Sequence, residues 1–191
     1  MGMGMQMGSG VLPRERHLIT PLSPPDKLLR GIWSCASLLL FRPSPKPFHG
    51  WRRFLLRLFG ADIASTARVY PTVKIWAPWN LTLRAGACLG YYVDCYDCGH
   101  ITLEENAMVS QYTFLCSASH DYRLKAFPLI TRPIVIGKQA WVCAGSFIGP
   151  GVTVGEGAVV GATSSVFRDV EPWMVVGGNP AVAIKKRELW D

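Results

Sequence analysis

The chain has no apolar run long enough to cross a membrane, which takes about 20 residues. Its best candidate, residues 31–41, is about half that length and contains Ser34 and Ser37. The Met- and Gly-rich start also lacks the order of basic and then apolar residues that marks a secretory signal. We therefore predict a cytoplasmic protein whose residues 1–12 are disordered.

Metal-binding groups and thiols are also few, with six cysteines and four histidines among 191 residues. Cys95, Cys98 and His100 lie close together, but no second pair follows to complete the four ligands of a structural zinc. We expect no metal, and we expect reduced thiols, because no secretory signal precedes them. The chain also lacks a Gly-rich nucleotide-binding unit of strand and helix, which disfavours a sugar-nucleotide transferase.

What the chain does have is a repeat of six residues. Aliphatic residues recur at this spacing in the C-terminal half, at Ile136, Val142, Ile148, Val154, Val160 and Val166. Neither an α-helix nor an alternating strand has this period, whereas a short fixed period is typical of a β-helix. We therefore predict an all-β fold, a left-handed parallel β-helix of hexapeptide repeats whose aliphatic side chains point inward.

The same phase extends towards the N-terminus, with interruptions. Its earlier members are Ile63, Val69, Ile75, Leu81, Leu83, Leu89, Leu103, Val109 and Leu115. Steps that are not multiples of six indicate insertions, and one of them predicts a loop standing off the coil at about residues 121–133. The β-helix is assigned to residues 61–171, with about six turns if three repeats make one turn. Residues 172–191 are predicted as a C-terminal tail or short helix that closes the coil.

The first 60 residues carry the whole positive excess of a chain whose formal net charge is +7. Residues 13–60 are predicted as an amphipathic helical segment, whose first helix is capped by Ser23 or Asp26. Two roles are open and compatible: the helices cap the open end of the coil, or residues 14–57 contact an anionic membrane. The basic residues match no nucleic-acid-binding motif, so no nucleic acid partner is expected.

His120 differs from the other histidines because it ends a run of repeats, where the coil gives way to the predicted loop. A neutral imidazole is well matched to accepting a hydroxyl proton near pH 7. We interpret His120 as a candidate general base. Asp121 either orients this imidazole or caps the loop.

These residues resemble the hexapeptide-repeat acyltransferases. The C-terminal coenzyme A signature of that family is similar to GATSSV and RDV within residues 161–170 and to GGNPA at residues 177–181. One branch, the colanic acid biosynthesis acetyltransferase type, also resembles FRPSP at residues 41–45, WRRFLLRLFGA at residues 51–61 and SHD at residues 119–121. The resemblance covers nearly the whole chain after its first dozen residues.

This resemblance implies an O-acetyltransferase that forms a homotrimer, with active sites between neighbouring subunits and acetyl-CoA lying along the coil edge. It implies that His120 is the general base, that the acceptor hydroxyl attacks the thioester directly, and that a backbone N–H near Ala144 binds the oxyanion. The positions that would contact coenzyme A are Trp141, Ala162, Phe167, Arg168 and Lys185. Of these, the cations Arg168 and Lys185 would bind its phosphates.

The implied acceptor is a sugar hydroxyl, of a free or lipid-linked saccharide in exopolysaccharide synthesis. Candidate sugar contacts are Tyr92, Asp94 and Asp97. The related galactoside enzymes have other residues at Gly90 and Cys98, so their acceptor specificity does not carry over. The alternatives are an acetyltransferase for serine, an antibiotic or a simple sugar, and a non-catalytic binding module. A γ-type carbonic anhydrase would need a close pair of histidines that the chain lacks.

Overall fold

The computed structural model describes residues 24–190, and most of them form a left-handed parallel β-helix of about six turns. This confirms the fold class predicted from the six-residue repeat. The strands are β1 (Asp62–Ile63), β2 (Arg68–Val69), β3 (Lys74–Ile75), β4 (Leu81–Leu83), β5 (Cys88–Leu89), β6 (Asp94–Tyr96), β7 (Ile101–Leu103), β8 (Met108–Val109), β9 (Phe114–Cys116), β10 (Ala118–His120), β11 (Leu129–Thr131), β12 (Ile134–Ile136), β13 (Trp141–Val142), β14 (Phe147–Ile148), β15 (Thr153–Val154), β16 (Val159–Val160), β17 (Ser165–Val166), β18 (Met174–Gly178) and β19 (Ala181–Lys186).

Parallel pairing divides the coil into three faces. The first face has the strand order β1-β4-β7-β12-β15, and the third face has the order β3-β6-β9-β14-β17. The second face runs β2-β5-β8-β13-β16-β18 and ends on β19. The register places Trp141 between Met108 and Val159, so equivalent positions of successive coils lie one above the other. Five coils are complete, and β18 belongs to an incomplete sixth.

The predicted aliphatic positions fill the interior of the coil. From Ile63 to Val166, each of them has an exposed fraction of 7% or less. A second inward position two residues earlier carries a small side chain, except before Leu83, Leu103 and Ile136, where it holds Leu81, Ile101 and Ile134. Its smaller members are Ala67, Val73, Ala87, Val93, Ala107, Thr113, Ala140, Ser146, Val152, Ala158 and Ser164. Two close-packed layers of side chains per strand therefore hold the coil together.

The insertion in the coil is a β-hairpin. Strand β10 pairs with β11 in antiparallel register, with His120 opposite Leu129. The loop predicted at about residues 121–133 is therefore shorter, and residues 129–131 are its returning strand. Strand β12 then rejoins the first face beside β7.

The C-terminal segment, predicted for residues 172–191 as a tail or short helix that closes the coil, is a two-stranded ribbon. Strand β18 continues the second face beside β16, and β19 folds back antiparallel to it, with Gly178 opposite Ala181. The pairing extends to Met174 opposite Lys186. The edge that β16 would otherwise expose is thus paired.

Two helices close the N-terminal end of the coil. Helix α1 (Pro24–Ala36) continues into a π-helical turn, and helix α2 (His49–Leu58) follows. Trp33, Phe41, Leu55 and Leu56 are buried in the same core as the first coil. The predicted cap residue Ser23 and residues 1–12 lie outside the described part of the chain. No helix within residues 24–190 is long and apolar enough to cross a membrane.

The three arginines of α2 donate to the coil, although only Arg52 is fully buried, while Arg53 is half-buried and Arg57 is exposed. A first coil has no coil before it, so the carbonyl groups on that side lack strand partners. Arg52 Nε donates to the Val69 carbonyl at 2.6 Å, Arg53 to that of Ala67 at 2.9 Å, and Arg57 Nε to that of Ile63 at 2.8 Å. Trp33 Nε1 donates to the Ile75 carbonyl at 2.8 Å.

The apolar side chains of α2 do not all face the coil. Leu55 is buried, whereas Trp51, Phe54 and Leu58 have exposed fractions of 39%, 54% and 68%. The carbonyl groups of the first coil favour guanidinium donors over an apolar surface, and this decides which face of the helix packs inward.

Candidate active site

His120 is the last residue of β10, and its side chain is exposed at the corner between the third and first faces. Its Nδ1 lies 2.5 Å from the carbonyl oxygen of Phe127, which is part of the hairpin loop. A carbonyl oxygen only accepts, so Nδ1 carries the proton and Nε2 of the neutral ring is left with its lone pair. The backbone thus holds the imidazole in the tautomer that a general base needs.

Asp121 anchors the hairpin loop. It is buried, and its carboxylate forms a two-pronged ion pair with Arg123, with both N–O distances at 2.9 Å. The Arg123 backbone N–H also donates to it at 3.1 Å. Of the two roles considered for Asp121, these contacts support fixing the loop, and the loop in turn supplies the carbonyl that orients His120.

A cavity of about 380 Å³ opens beside His120. Phe167, which follows β17 on the third face, lines the same cavity and has an exposed fraction of 58%. Arg123 and Arg132 lie on its wall. The structure therefore brings together three of the predicted site residues, His120, Asp121 and Phe167. Arg132 beside them could bind an anion, whereas Arg123 is paired with Asp121.

Trp141, Ala144 and Ala162 lie elsewhere on the coil. Trp141 projects from β13 on the second face, where its Nε1 donates to Ser110 Oγ at 2.9 Å, and it lines a separate cavity of about 420 Å³. Ala144 and Ala162 occupy the corner between the second and third faces, and the Ala144 carbonyl accepts the Thr163 N–H at 2.9 Å. Within residues 24–190 the Ala144 N–H has no acceptor.

His120 and Ala144 therefore stand on opposite edges of the third face within one chain. The base and the predicted oxyanion donor do not converge on one cavity. Within one chain, the predicted site is therefore divided into two separate parts, one at His120 and one at Ala144.

The two predicted phosphate ligands are exposed near the C-terminal ribbon. Arg168 lines a groove of about 280 Å³ beside Met174 and Ala181. Lys185 projects from β19, opposite Val175. Neither cation forms an ion pair with any other described residue. Both are thus available to an anionic ligand.

The three predicted sugar contacts divide into two exposed residues and a buried one. Tyr92 is half exposed and stacks on Tyr112, with ring centroids 5.0 Å apart. Asp94 faces outward on β6, where Lys74 Nζ lies 3.4 Å from its carboxylate.

Asp97 corrects that part of the prediction, because it is fully buried. One of its oxygens accepts the backbone N–H groups of Trp76 and Ala77, at 2.8 and 2.9 Å, and the other has no hydrogen-bond partner in the described chain. Burial raises the pKa of this carboxyl to about 7. Asp97 is a structural residue of the coil in this arrangement, not a surface contact for a sugar.

The Cys95, Cys98 and His100 group does not converge either. Cys95 points into the core, and the His100 Nε2 pairs with Thr82 Oγ1 at 2.9 Å. Among residues 24–190 no three His, Cys, Asp or Glu side chains are grouped so that they could hold a metal ion.

Sequence reasoning missed an aromatic ladder on the outer side of the third face. Its members, in order along the coil, are Trp76, Tyr96, Phe114, Phe147 and Phe167. Successive ring centroids lie between 5.2 and 6.4 Å apart. The signal was present, since these rings flank the inward aliphatic positions of successive coils, but reading it required knowing which coils are stacked. The ladder leads along the face to the cavity beside His120.

Two solved structures share this fold and are acetyltransferases. A hexapeptide-repeat acetyltransferase of Vibrio cholerae, in complex with acetyl coenzyme A, superposes with a TM-score of 0.75 and 28% identity, over 87% of this chain and 91% of that one. A maltose O-acetyltransferase of Clostridium difficile 630 gives a TM-score of 0.75 at 26% identity, over 86% and 91% of the two chains. The class these comparisons define is the hexapeptide-repeat acetyltransferase.

Sequence comparison narrows this class. A protein of Escherichia coli (strain K12), provisionally named colanic acid biosynthesis acetyltransferase WcaF, is 44% identical over 156 residues, which are 82% of this chain and 86% of that protein. No family model matches the chain. The chain belongs to the colanic acid biosynthesis acetyltransferase family within the hexapeptide-repeat acetyltransferases.

Proposed function

We propose that the protein transfers an acetyl group from acetyl-CoA to a sugar hydroxyl, in the synthesis of an exopolysaccharide precursor of the colanic acid type. The family supports the reaction class, and the acetyl-CoA complex of the Vibrio cholerae enzyme supports the donor. The observation that carries the proposal is the His120 imidazole, whose Nδ1 is held by the Phe127 carbonyl beside an open cavity.

In the proposed mechanism, His120 Nε2 takes the proton of the acceptor hydroxyl while its oxygen attacks the thioester carbonyl carbon. The backbone N–H of Ala144 donates to the resulting oxyanion. When the tetrahedral intermediate collapses, the carbon–sulfur bond breaks and the imidazolium returns its proton to the departing thiolate of coenzyme A. Atoms and charge balance without a covalent enzyme intermediate.

The cysteines support direct transfer. Burial raises the pKa of five thiols, and a thiol whose pKa is raised forms less of the nucleophilic thiolate. These thiols are Cys88, Cys95, Cys98, Cys116 and Cys143.

A homotrimer is part of the proposal, because His120 and Ala144 occupy opposite edges of one face. A cyclic trimer makes head-to-tail contacts, in which one edge of a subunit meets a different edge of its neighbour. Such a contact would bring the hairpin of one copy to the Ala144 corner of the next. Trp141, Ala162 and Phe167 would then flank one coenzyme A, while Arg168 and Lys185 would meet its phosphates.

Tyr92 and Asp94 are proposed as acceptor contacts, because they are the exposed members of the predicted set. Acetyl-CoA is a cytoplasmic metabolite, so we propose a cytoplasmic enzyme that reaches lipid-linked saccharides at the membrane surface. Peripheral contact of residues 14–57 with an anionic membrane is the corresponding proposal for the N-terminal segment.

The test is calorimetric titration with acetyl-CoA, followed by acetyl transfer to a panel of saccharides. We expect one site per chain. His120→Ala should lower turnover by about a hundredfold or more while acetyl-CoA affinity and trimer mass stay unchanged. His100→Ala, at a histidine outside the cavity, is the matched control. Equal turnover in His120→Ala would reject the base, and transfer only to serine or an antibiotic would replace the proposed acceptor.

A further inference from the structure

We propose that the outward surface of the N-terminal helices docks on an anionic phospholipid bilayer through apolar side chains, while the arginines of α2 serve the coil. This inference deepens the peripheral location in the proposed function and does not depend on the acetyl-transfer chemistry. The surface, named here the outer patch, consists of Leu39, Leu40, Pro43, Phe48, Trp51 and Phe54.

The outer patch is continuous and exposed. Trp51 Nε1 donates to the Leu40 carbonyl at 2.9 Å, which joins α2 to the turn after α1. The Trp51 and Phe54 rings stack with their centroids 5.8 Å apart. All members except Phe54 line one shallow groove of about 410 Å³. The exposed fractions of Leu39 and Phe54 are 69% and 54%.

The packing of α2 explains why this apolar surface has no cover within the described chain. The inner side of the helix is occupied by guanidinium groups that donate to carbonyl oxygens of the first coil. Arg52 is fully buried and also donates to the Pro45 and Lys46 carbonyls, at 2.9 and 2.6 Å. Exposed apolar patches of this kind mark interaction sites, since leaving them in water costs free energy.

The charge around the outer patch selects the partner. No acidic residue occurs between Asp26 and Asp62, whereas Arg42 and Lys46 are exposed in the connecting segment. Neither cation lines the groove of the outer patch: Lys46 Nζ lies 5.9 Å from the Tyr70 ring centroid, and Arg42 lines a neighbouring groove beside Trp76. A second copy of the same patch would bring these cations against their equivalents. Anionic headgroups above an apolar layer match both the cations and the apolar side chains.

The side chains also suit the depth of a bilayer interface. Trp, Phe and Leu beside Lys and Arg form the combination found where helices lie along the headgroup boundary. The helices within residues 24–190 are too short or too polar to cross the bilayer. The geometry therefore points to a surface contact, with the coil axis leading away from the membrane and the outer patch at its end.

The experiment is co-sedimentation of the full chain with vesicles of phosphatidylcholine, with and without phosphatidylglycerol. We expect binding to the anionic vesicles that weakens with added salt. Leu39→Glu combined with Phe54→Glu should weaken this binding by about tenfold or more. Val182→Glu is the matched control, because Val182 is 63% exposed on the ribbon at the other end of the coil.

Arg42→Gln combined with Lys46→Gln should weaken binding to anionic vesicles by about threefold to tenfold. Circular dichroism and sedimentation velocity check that each variant keeps its fold and oligomeric state. Wild-type protein that stays in the supernatant would overturn the proposal, as would a folded Leu39→Glu/Phe54→Glu variant that binds normally. A change of oligomeric state in that variant would assign the outer patch to a second copy instead.

Titration with acetyl-CoA separates this proposal from the proposed function. Vesicle binding without acetyl-CoA binding would reject the acetyl-transfer proposal alone. Acetyl-CoA binding by a chain that ignores anionic vesicles would reject the docking surface alone.

Discussion

The β-helix and the N-terminal helices differ in where they place their apolar side chains. In the coil, every aliphatic residue of the six-residue repeat points inward. In α2, a helical pattern just as clear puts Trp51, Phe54 and Leu58 outside, while Arg52 is buried. The difference lies in the surface that each element meets: the coil interior offers mostly apolar contacts, whereas the end of the coil offers carbonyl groups without strand partners. Periodicity predicts that two faces exist, and the partner surface decides which one is buried.

The largest expected contrast is between two leucines. Leu103→Ala removes a fully buried side chain in the middle of the coil and should lower the free energy of unfolding by about 2–5 kcal/mol. Leu39→Ala, at an exposed position of the outer patch, should change it by less than about 0.5 kcal/mol. Urea unfolding of both variants measures this. Equal losses would mean that the helices bury Leu39 in solution and would break the comparison.

The next contrast tests the buried arginine of the N-terminal segment. Arg52→Met keeps much of the volume but removes the guanidinium hydrogen bonds to the carbonyl groups of Val69, Pro45 and Lys46, so we expect a loss of about 1–3 kcal/mol. The Val69 carbonyl keeps His49 Nδ1 and the Pro45 carbonyl keeps the Phe48 N–H, so the Lys46 carbonyl loses most. Arg42→Met, at an exposed arginine, should cost less than about 0.5 kcal/mol. Thermal unfolding distinguishes them. A neutral Arg52→Met would show that these hydrogen bonds do not hold the cap on the coil.

Asp97 is a buried carboxyl group of the coil. It differs from Arg52 because one of its oxygens lacks a hydrogen-bond partner in the described chain. Its pKa is about 7 in the folded protein, against an ordinary value of 3.8. Between these two values the folded state keeps a proton that the unfolded chain has lost, so stability falls as pH rises through this window. The slope is at most about 1.4 kcal/mol per pH unit.

Asp97→Asn should flatten this part of the stability profile, since Asn cannot ionise and its carbonyl can still accept from Trp76 and Ala77. Unfolding of both proteins in urea from pH 4 to pH 8 measures the slopes. Glu105→Gln, at an exposed carboxylate that is not among the groups acting on Asp97, is the matched control and should keep the wild-type slope. Parallel profiles for wild type and Asp97→Asn would show that Asp97 ionises as an ordinary carboxyl.

The sequence was sufficient to predict the coil, because the inward position recurs at a fixed spacing. It was also sufficient to place His120 at the boundary between the coil and the predicted loop. The hydrogen bond from His120 Nδ1 to the Phe127 carbonyl, however, depends on the shape of the hairpin. The C-terminal ribbon was missed because its strands lie outside the repeat. Asp97 was misplaced as a surface residue because the coil inserts extra residues there, which turns its side chain inward.

The smallest expected effects compare backbone positions with positive φ in the two regions. Thr163 sits at a coil corner with φ of 58°, a conformation that costs a β-branched residue free energy, and Gly60 ends α2 with φ of 87°. Thr163→Gly should raise the free energy of unfolding by about 0.5–1 kcal/mol, and Gly60→Ala should lower it by about 1 kcal/mol, since its new Cβ would lie 3.2 Å from that of Trp79. Thermal unfolding measures both. A lower free energy of unfolding in Thr163→Gly would mean that the hydrogen bond from Thr163 Oγ1 to the Ala162 carbonyl outweighs the backbone strain. Side-chain hydrogen bonds to carbonyl groups would then stabilise the corners of the coil, as they do the N-terminal helices.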